Sequence, residues 1–251
     1  MQTLTDRVAL ITGAGDGMGR AHAILMAERG ADIAIVDINT KGAEETAASV
    51  RKLGRRAVAI TADVSKIAAI PDIVARIDAE LGRVDILVNN AGFGQRVTTP
   101  EVDEESFDRM IGVHVKGSFF FTRAVLPGMK ERRRGKIINI SSIWGMTGAP
   151  VAPHYCAAKA ALLGLTKAWA KEFAPFNIHV NAISPGGVRS GGPVKLDNAE
   201  LLKEKEARVP LKRYCDPREI AYAVAFLASS ESDFITGQMI SPNGGEVIVG
   251  Y

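Results

Sequence analysis

A doubly wound α/β fold, with a parallel sheet covered on both faces by helices, is what this sequence predicts. Three observations lead there. Short apolar runs such as Val8–Thr12 and residues 33–36 are continuous rather than alternating, as strands buried on both faces are. Helical stretches separate these runs one by one. A glycine-rich turn, Gly13-Ala14-Gly15-Asp16-Gly17-Met18-Gly19, joins the first run to a helix, and Asp37 closes the second run.

In chain order, Val8–Thr12 is the first strand, and the helix after the turn reaches Gly30. Glycines permit a tight turn and a close approach of backbone to a pyrophosphate. The helix beyond offers free N–H groups and the positive end of its dipole. Asp37 falls eighteen residues after Gly19, where an acid meets the adenosine ribose hydroxyls. Its carboxylate would repel a 2′-phosphate, Ile38 brings no compensating cation, and Asp16 adds a second negative charge. The cofactor expected is therefore NAD, preferred over NADP. Arg20 and Lys41 are the nearby cations that would reverse this preference, unless they are ordinary helix-surface charges.

Residues 58–61 read as the third strand. Asp63 and Val64 follow it, where the adenine lies in a crevice of this kind. Asp63 also suits a helix cap near Ser65. Residues 84–88 form the fourth strand, ending in Asn89-Asn90-Ala91-Gly92. Asparagines at a strand end can bond backbone and hold the floor of a cofactor site. Residues 154–174 read as one helix, and Ile178–Ile183 as a strand leading into Pro185-Gly186-Gly187. The glycines that follow suit a lid over about 189–210, with a short charged helix at 199–207. Pro217–Ala228 is an amphipathic helix, residues 236–240 a last strand, and Asn243-Gly244-Gly245 a turn.

The candidate chemistry lies in the middle of the chain. Tyr155 and Lys159, four apart on a helix, share a face. A free phenol, with a pKa of about 10, is too weak a base at neutrality. A nearby ammonium lowers that pKa and fits the tyrosine for proton exchange with an alcohol or ketone. Ser142, at the end of an apolar run, could hydrogen-bond the same substrate oxygen.

Composition excludes several function classes. The chain has 251 residues, 47% hydrophobic and 24% charged, with a net charge of +3. No linker or repeat divides it, so one domain over 1–251 is expected. Its cofactor half is about 1–140; its catalytic and substrate half, with the lid, is about 141–251. The small, scattered charge does not argue for nucleic acid or an acidic membrane. No apolar run suggests a signal peptide or a membrane span, and a cytoplasmic protein is expected. Cys156 and Cys215 have no metal-ligand spacing.

Six motifs together resemble the short-chain dehydrogenase/reductase family in its single-domain form. They are Thr12-Gly13-x-x-x-Gly17-x-Gly19, Asp63-Val64, Asn89-Asn90-Ala91-Gly92, Ser142, Tyr155-x-x-x-Lys159 and Pro185-Gly186. They cover essentially the whole chain in the family's order. The resemblance implies a Rossmann-type, seven-stranded parallel sheet flanked by helices, and hydride transfer between NAD(H) and a secondary alcohol or ketone. It casts Tyr155 as general acid and base, with Lys159 lowering its pKa and holding the nicotinamide ribose. Ser142 would sit on the substrate oxygen and Asn90 beside the ribose. Pro185, Gly186 and Val188 would pass the nicotinamide, and Ser190, where the family usually has Thr, keeps a hydroxyl for the cofactor. The substrate pocket would be drawn from Phe93, Gln95, Trp144, Met146, His154, Gly187 and the lid, with Arg96 and Arg189 nearby. A homotetramer is the usual assembly, through helices near 105–130 and 154–174 and the C-terminal region.

One departure stands out. The family normally has Asn where this chain has His114, in a proton relay running through Lys159. Imidazole can donate and accept, and it titrates near neutrality. The expectation is that His114 replaces the Asn in the relay and makes activity pH-sensitive. The alternative is a broken relay and a non-catalytic NAD-binding protein. A second alternative is a 3-oxoacyl thioester reductase, an activity that commonly goes with NADP, so Asp37 counts against it.

Overall fold

The structure, a computed structural model, describes residues 3–189 and 199–249. At its centre is a parallel sheet, seven-stranded among the described residues. Its strands are β1 (Val8–Thr12), β2 (Asp32–Asp37), β3 (Ala57–Thr61), β4 (Ile86–Asn89), β5 (Gly135–Ile140), β6 (Ile178–Ile183) and β7 (Met239–Ile240). Their order is β3-β2-β1-β4-β5-β6-β7. The chain runs outward from β1 to β3, returns beside β1 as β4, and then runs outward the other way. This reversal opens a crevice at the carboxyl ends of β1 and β4, where such sheets hold ligands.

The α-helices of the described residues are α1 (Gly17–Glu28), α2 (Thr40–Lys52), α3 (Ile70–Leu81), α4 (Glu104–Ile111), α5 (Ser118–Glu131), α6 (Trp144–Thr147), α7 (Pro153–Phe173), α8 (Ala199–Arg208) and α9 (Pro217–Ala228). Alternate strand residues enter opposite layers. Ala9, Ile11, Ile33 and Ile35 pack with Met26 of α1, Val50 of α2 and Val224 of α9. Val8, Leu10, Ala34 and Val36 pack with Ile77 of α3, Phe121 of α5 and Phe173 of α7. Both faces are therefore apolar, which is why the strands read as continuous hydrophobic runs. Each fully buried Leu or Ile among them contributes roughly 1.5–3 kcal/mol.

Two elements differ from expectation. The helix near 105–130 is broken by a wide π turn, Gly112–Gly117, between α4 and α5. Gly117 packs there against Val64, whose carbonyl oxygen would lie 3.1 Å from an added Cβ. Such turns recur at functional sites, and this one carries His114. β7 is shorter than residues 236–240 because Gly237 adopts φ +73°, which ends the extended run, while its N–H still donates to the Val180 carbonyl at 2.7 Å. Among the described residues, no helix is long and apolar enough to cross a membrane, and no cluster of His, Cys, Asp or Glu could hold a metal ion.

Candidate active site

A cleft of about 1020 Å³ runs along the carboxyl edge of the sheet, from Asp37 and Ile38 at one end to Tyr155 and Lys159 at the other. Gly13, Asp16, Gly17, Met18 and Gly19 line it, as do Asp63, Val64, Asn90, Ala91, Gly92, Pro185, Gly186 and Val188.

The glycine turn is built too tightly for side chains. A Cβ on Gly19 would stand 2.0 Å from the Gly13 carbonyl oxygen, and one on Gly13 2.7 Å from the Ala91 Cα. The Asp16 carboxylate caps α1 by accepting the Gly17 N–H at 2.7 Å. Asn90 donates from Nδ2 to the Thr12 and Gly13 carbonyls, both at 2.9 Å, and so holds the turn. Its Oδ1 is buried without a partner among the described residues. Thr12 works from the other side: its hydroxyl accepts the Asn90 and Ala91 N–H groups, each at 3.1 Å. Sequence reasoning put no site role on Thr12, although a hydroxyl at the last strand position was the available signal. Asn89 points into the protein, donating to Asn139 Oδ1 at 2.9 Å.

At the adenosine end, Asp37 accepts the Gly15 N–H at 2.7 Å through Oδ2 and the Asn39 N–H at 2.8 Å through Oδ1. Neither cation that could reverse the cofactor preference is free. Arg20 bonds the Gly15 carbonyl at 2.8 Å and Glu45 at 3.0 Å, and Lys41 pairs with Glu45 at 3.9 Å. Burial pushes the Asp63 carboxyl up, but the Ser65 hydroxyl and amide, with Lys66 and Arg109, hold it below its ordinary value.

Ser142 follows β5, and α7 presents Tyr155 and Lys159 on one face. The Ser142 hydroxyl accepts the Trp144 N–H at 3.2 Å and bonds the Tyr155 phenol. Lys159 Nζ donates to the Ile140 carbonyl at 2.7 Å and lies 5.6 Å from the Tyr155 ring centroid. Burial lowers the Lys159 pKa to about 7. The expected lowering of the phenol is not what this structure holds: burial pushes Tyr155 up, and the Ser142 hydrogen bond offsets only part of that. The physical reason is the dry pocket, which penalises phenolate and ammonium alike, so the lysine is only partly charged at neutrality.

His114 is buried, its ring edge-on to Tyr155 with centroids 5.5 Å apart. Its Nε2 lies 2.9 Å from the Phe93 carbonyl and 3.1 Å from the Phe93 N–H, so the ring clamps the loop after β4. Nδ1 is buried without a partner among the described residues. Burial and then Lys159 push the imidazole well below its ordinary value. The expectation that it titrates near neutrality is thus corrected: His114 is a neutral donor and acceptor at working pH.

At the substrate end, Phe93, Gln95, Trp144 and Gly187 line the cleft. Met146, on α6, and His154, at the start of α7, do not; buried His154 instead supports Gln95, with Nε2 at 3.1 Å from Oε1. Ser190 and the lid residues 190–198 lie outside the described residues. Tyr214, Glu246 and Arg96 also line the cleft, and the first two were missed from the sequence. Tyr214 packs so closely on Gly187 that an added Cβ there would lie 2.3 Å from its ring. Only the fold brings positions so distant in sequence together.

The model of the family described as enoyl-(acyl carrier protein) reductase matches residues 13–246. An uncharacterized oxidoreductase of Thermotoga maritima is 41% identical over 248 residues, spanning 97% of this chain and 98% of that protein. The 3-oxoacyl-(acyl-carrier-protein) reductase of the same organism is 38% identical over 246 residues, spanning 98% and 99%. A solved short-chain type dehydrogenase/reductase from Mycobacterium marinum superposes with a TM-score of 0.92 at 33% identity, covering 98% of this chain and 97% of that one.

Proposed function

This chain belongs to the short-chain dehydrogenase/reductase family, and we propose that it is an NAD-dependent oxidoreductase acting on a small-to-medium secondary alcohol or its ketone. The observation that carries the reading is the meeting of Ser142, Tyr155 and Lys159 at one end of a cleft whose other end is Asp37. The residues fit a dinucleotide: the glycine turn leaves bare backbone at the N-terminus of α1, and Asn90 Oδ1 is left unsatisfied beside it. Residues of about 1–140 would form the cofactor half, with Phe93 and Gln95 reaching the substrate end, and those beyond would form the catalytic and substrate half, with Lys159, Pro185, Gly186 and Val188 beside the nicotinamide.

The nicotinamide, when bound, takes or supplies the hydride. In oxidation the carbinol hydrogen leaves with its electron pair, the hydroxyl proton passes to the Tyr155 oxygen, and a ketone remains. The Ser142 hydroxyl accepts the Trp144 N–H and bonds the Tyr155 phenol, and a substrate oxygen seated between the two would take up its proton and be held in place. Lys159, with a pKa of about 7, carries its charge in part of the molecules at neutrality, and that charge favours the phenolate. Neutral His114 positions the Phe93 backbone at the cleft floor and offers Nδ1 to the relay.

NAD is preferred because Asp37 opposes a 2′-phosphate while Arg20 and Lys41 are bound to Glu45. The similarity to the 3-oxoacyl reductase of Thermotoga maritima favours a second reading, reduction of a 3-oxoacyl thioester. Binding titrations with NADH and NADPH, followed by turnover of secondary alcohols against a 3-oxoacyl thioester, separate the two. Comparable affinity for NADPH with turnover of the thioester alone would overturn the first. We further propose a homotetramer, supported by exposed Phe107 and Phe119 on α4 and α5 and by outward-facing Ala157 and Ala160 on α7. Light scattering tests it, and a monomeric mass would refute it.

A further inference from the structure

Arg96 is a cation of the cleft lining to which hydride transfer assigns no role. Arg96 is exposed at the substrate end, in the loop between β4 and α4. Its guanidinium stands over the Trp144 ring, 5.4 Å from the centroid. Such a contact fixes the position of the charge without neutralising it. Arg189 is committed to Glu206, Arg208 to Glu204 and Arg213 to Glu219, while Arg109, also in the lining, stands over the Phe93 ring at 4.9 Å and acts on Asp63 toward the cofactor end. Among the described residues no carboxylate pairs with Arg96. The nearby Glu246 is bonded to the Gly187 N–H at 3.3 Å. Buried His154 anchors the neighbouring Gln95, so the loop that carries Arg96 is held from behind.

We propose that Arg96 is a specificity-determining residue that binds a carboxylate on the substrate. The substrate class is then a secondary alcohol or ketone with an acid group several bonds from the reacting carbon. Trp144 sets that spacing. Its ring is edge-on to Tyr155, with centroids 6.0 Å apart, and Arg96 lies over it. An acid group directly on the reacting carbon would sit at the phenol, short of the guanidinium. A single planar guanidinium, with Glu246 nearby, suits a singly charged carboxylate better than a dianionic phosphate. The inference rests on the hydride-transfer reading.

The test compares (ω−1)-hydroxy carboxylates, from hydroxybutyrate to hydroxyheptanoate, with their methyl esters, using NAD and the wild-type or Arg96→Gln protein. At one chain length the wild type should favour the acid by about tenfold in kcat/KM, carried by KM. That preference should shrink with added salt and fall toward unity in Arg96→Gln. Turnover of esters and acids alike by the wild type would overturn the inference and leave hydride transfer standing. If nothing in the series turns over, the same acids and esters are titrated into NADH-loaded protein and followed by NADH fluorescence. Acid-selective binding that is lost in Arg96→Gln upholds the carboxylate site while the hydride-transfer reading falls. Binding without selectivity overturns the carboxylate site.

Discussion

Lys159→Met should make the cofactor-free protein more stable while abolishing turnover. In the folded chain the Lys159 pKa is about 7, against an ordinary 10.5. Between those values the unfolded chain binds more protons than the folded one. Stability therefore rises with pH across that window, and the penalty is complete below it. The drop from 10.5 to about 7, at about 1.4 kcal/mol per factor of ten in proton affinity, sets an upper bound of about 4–5 kcal/mol at neutrality. Losing the bond from Nζ to the Ile140 carbonyl takes back about 1–3 kcal/mol. A net gain of roughly 2 kcal/mol is left, which raises Tm by about 4–8 °C in a chain of this size. The assay is urea unfolding of both proteins without NAD, near pH 7 and again about three units higher, where the wild type recovers most of the deficit. A variant no more stable than wild type at neutrality, or a gain that ignores pH, would refute the claim that burial holds this ammonium at a cost.

Further expectations follow from single contacts. In Gly92→Ala, the new Cβ would lie 2.3 Å from the His114 ring, which should destabilise the protein by about 1–3 kcal/mol. Adding His114→Ala should recover much of that loss, so additive losses in urea unfolding would contradict the packing. His114→Asn should change the rate without adding or removing a pKa in the pH profile near neutrality, because burial already holds the imidazole neutral. A titration that disappears in the variant would restore the ionising relay. Asp37→Ala should weaken NAD binding and erase discrimination against NADP in a fluorescence titration. Unchanged discrimination would move specificity elsewhere. Gly187→Ala must displace Tyr214, so KM should rise more than kcat falls, and equal losses in both would count against a pocket role.

Where chain chemistry is local, the sequence was a good guide. β1, β6 and α9 begin and end where their apolar runs and the Pro217 start signal put them. The four-residue spacing of Tyr155 and Lys159 needed only an α-helix to bring them together. What could not be read depends on distant contacts. The π turn that lodges His114 packs Gly117 against Val64 and the imidazole against Gly92, contacts that sequence spacing does not show. Tyr214 reaches the cleft because the segment at 214–215 is strapped to Gly187–Arg189 by backbone bonds, and Glu246 because the turn after Asn243 lets its carboxylate accept the Gly187 N–H. Met146 and His154, near the catalytic residues in sequence, do not line the cleft. Burial, invisible in sequence, raises the Tyr155 phenol against expectation and lowers the His114 imidazole from its ordinary value.

The most direct test of the account is NADH absorbance with purified wild type and Tyr155→Phe, with NAD and a panel of secondary alcohols, alongside NAD binding to both proteins. The account predicts reduction of NAD by the wild type with at least one alcohol, and a variant that binds NAD as tightly but turns over nothing measurable. Full turnover in Tyr155→Phe would contradict it.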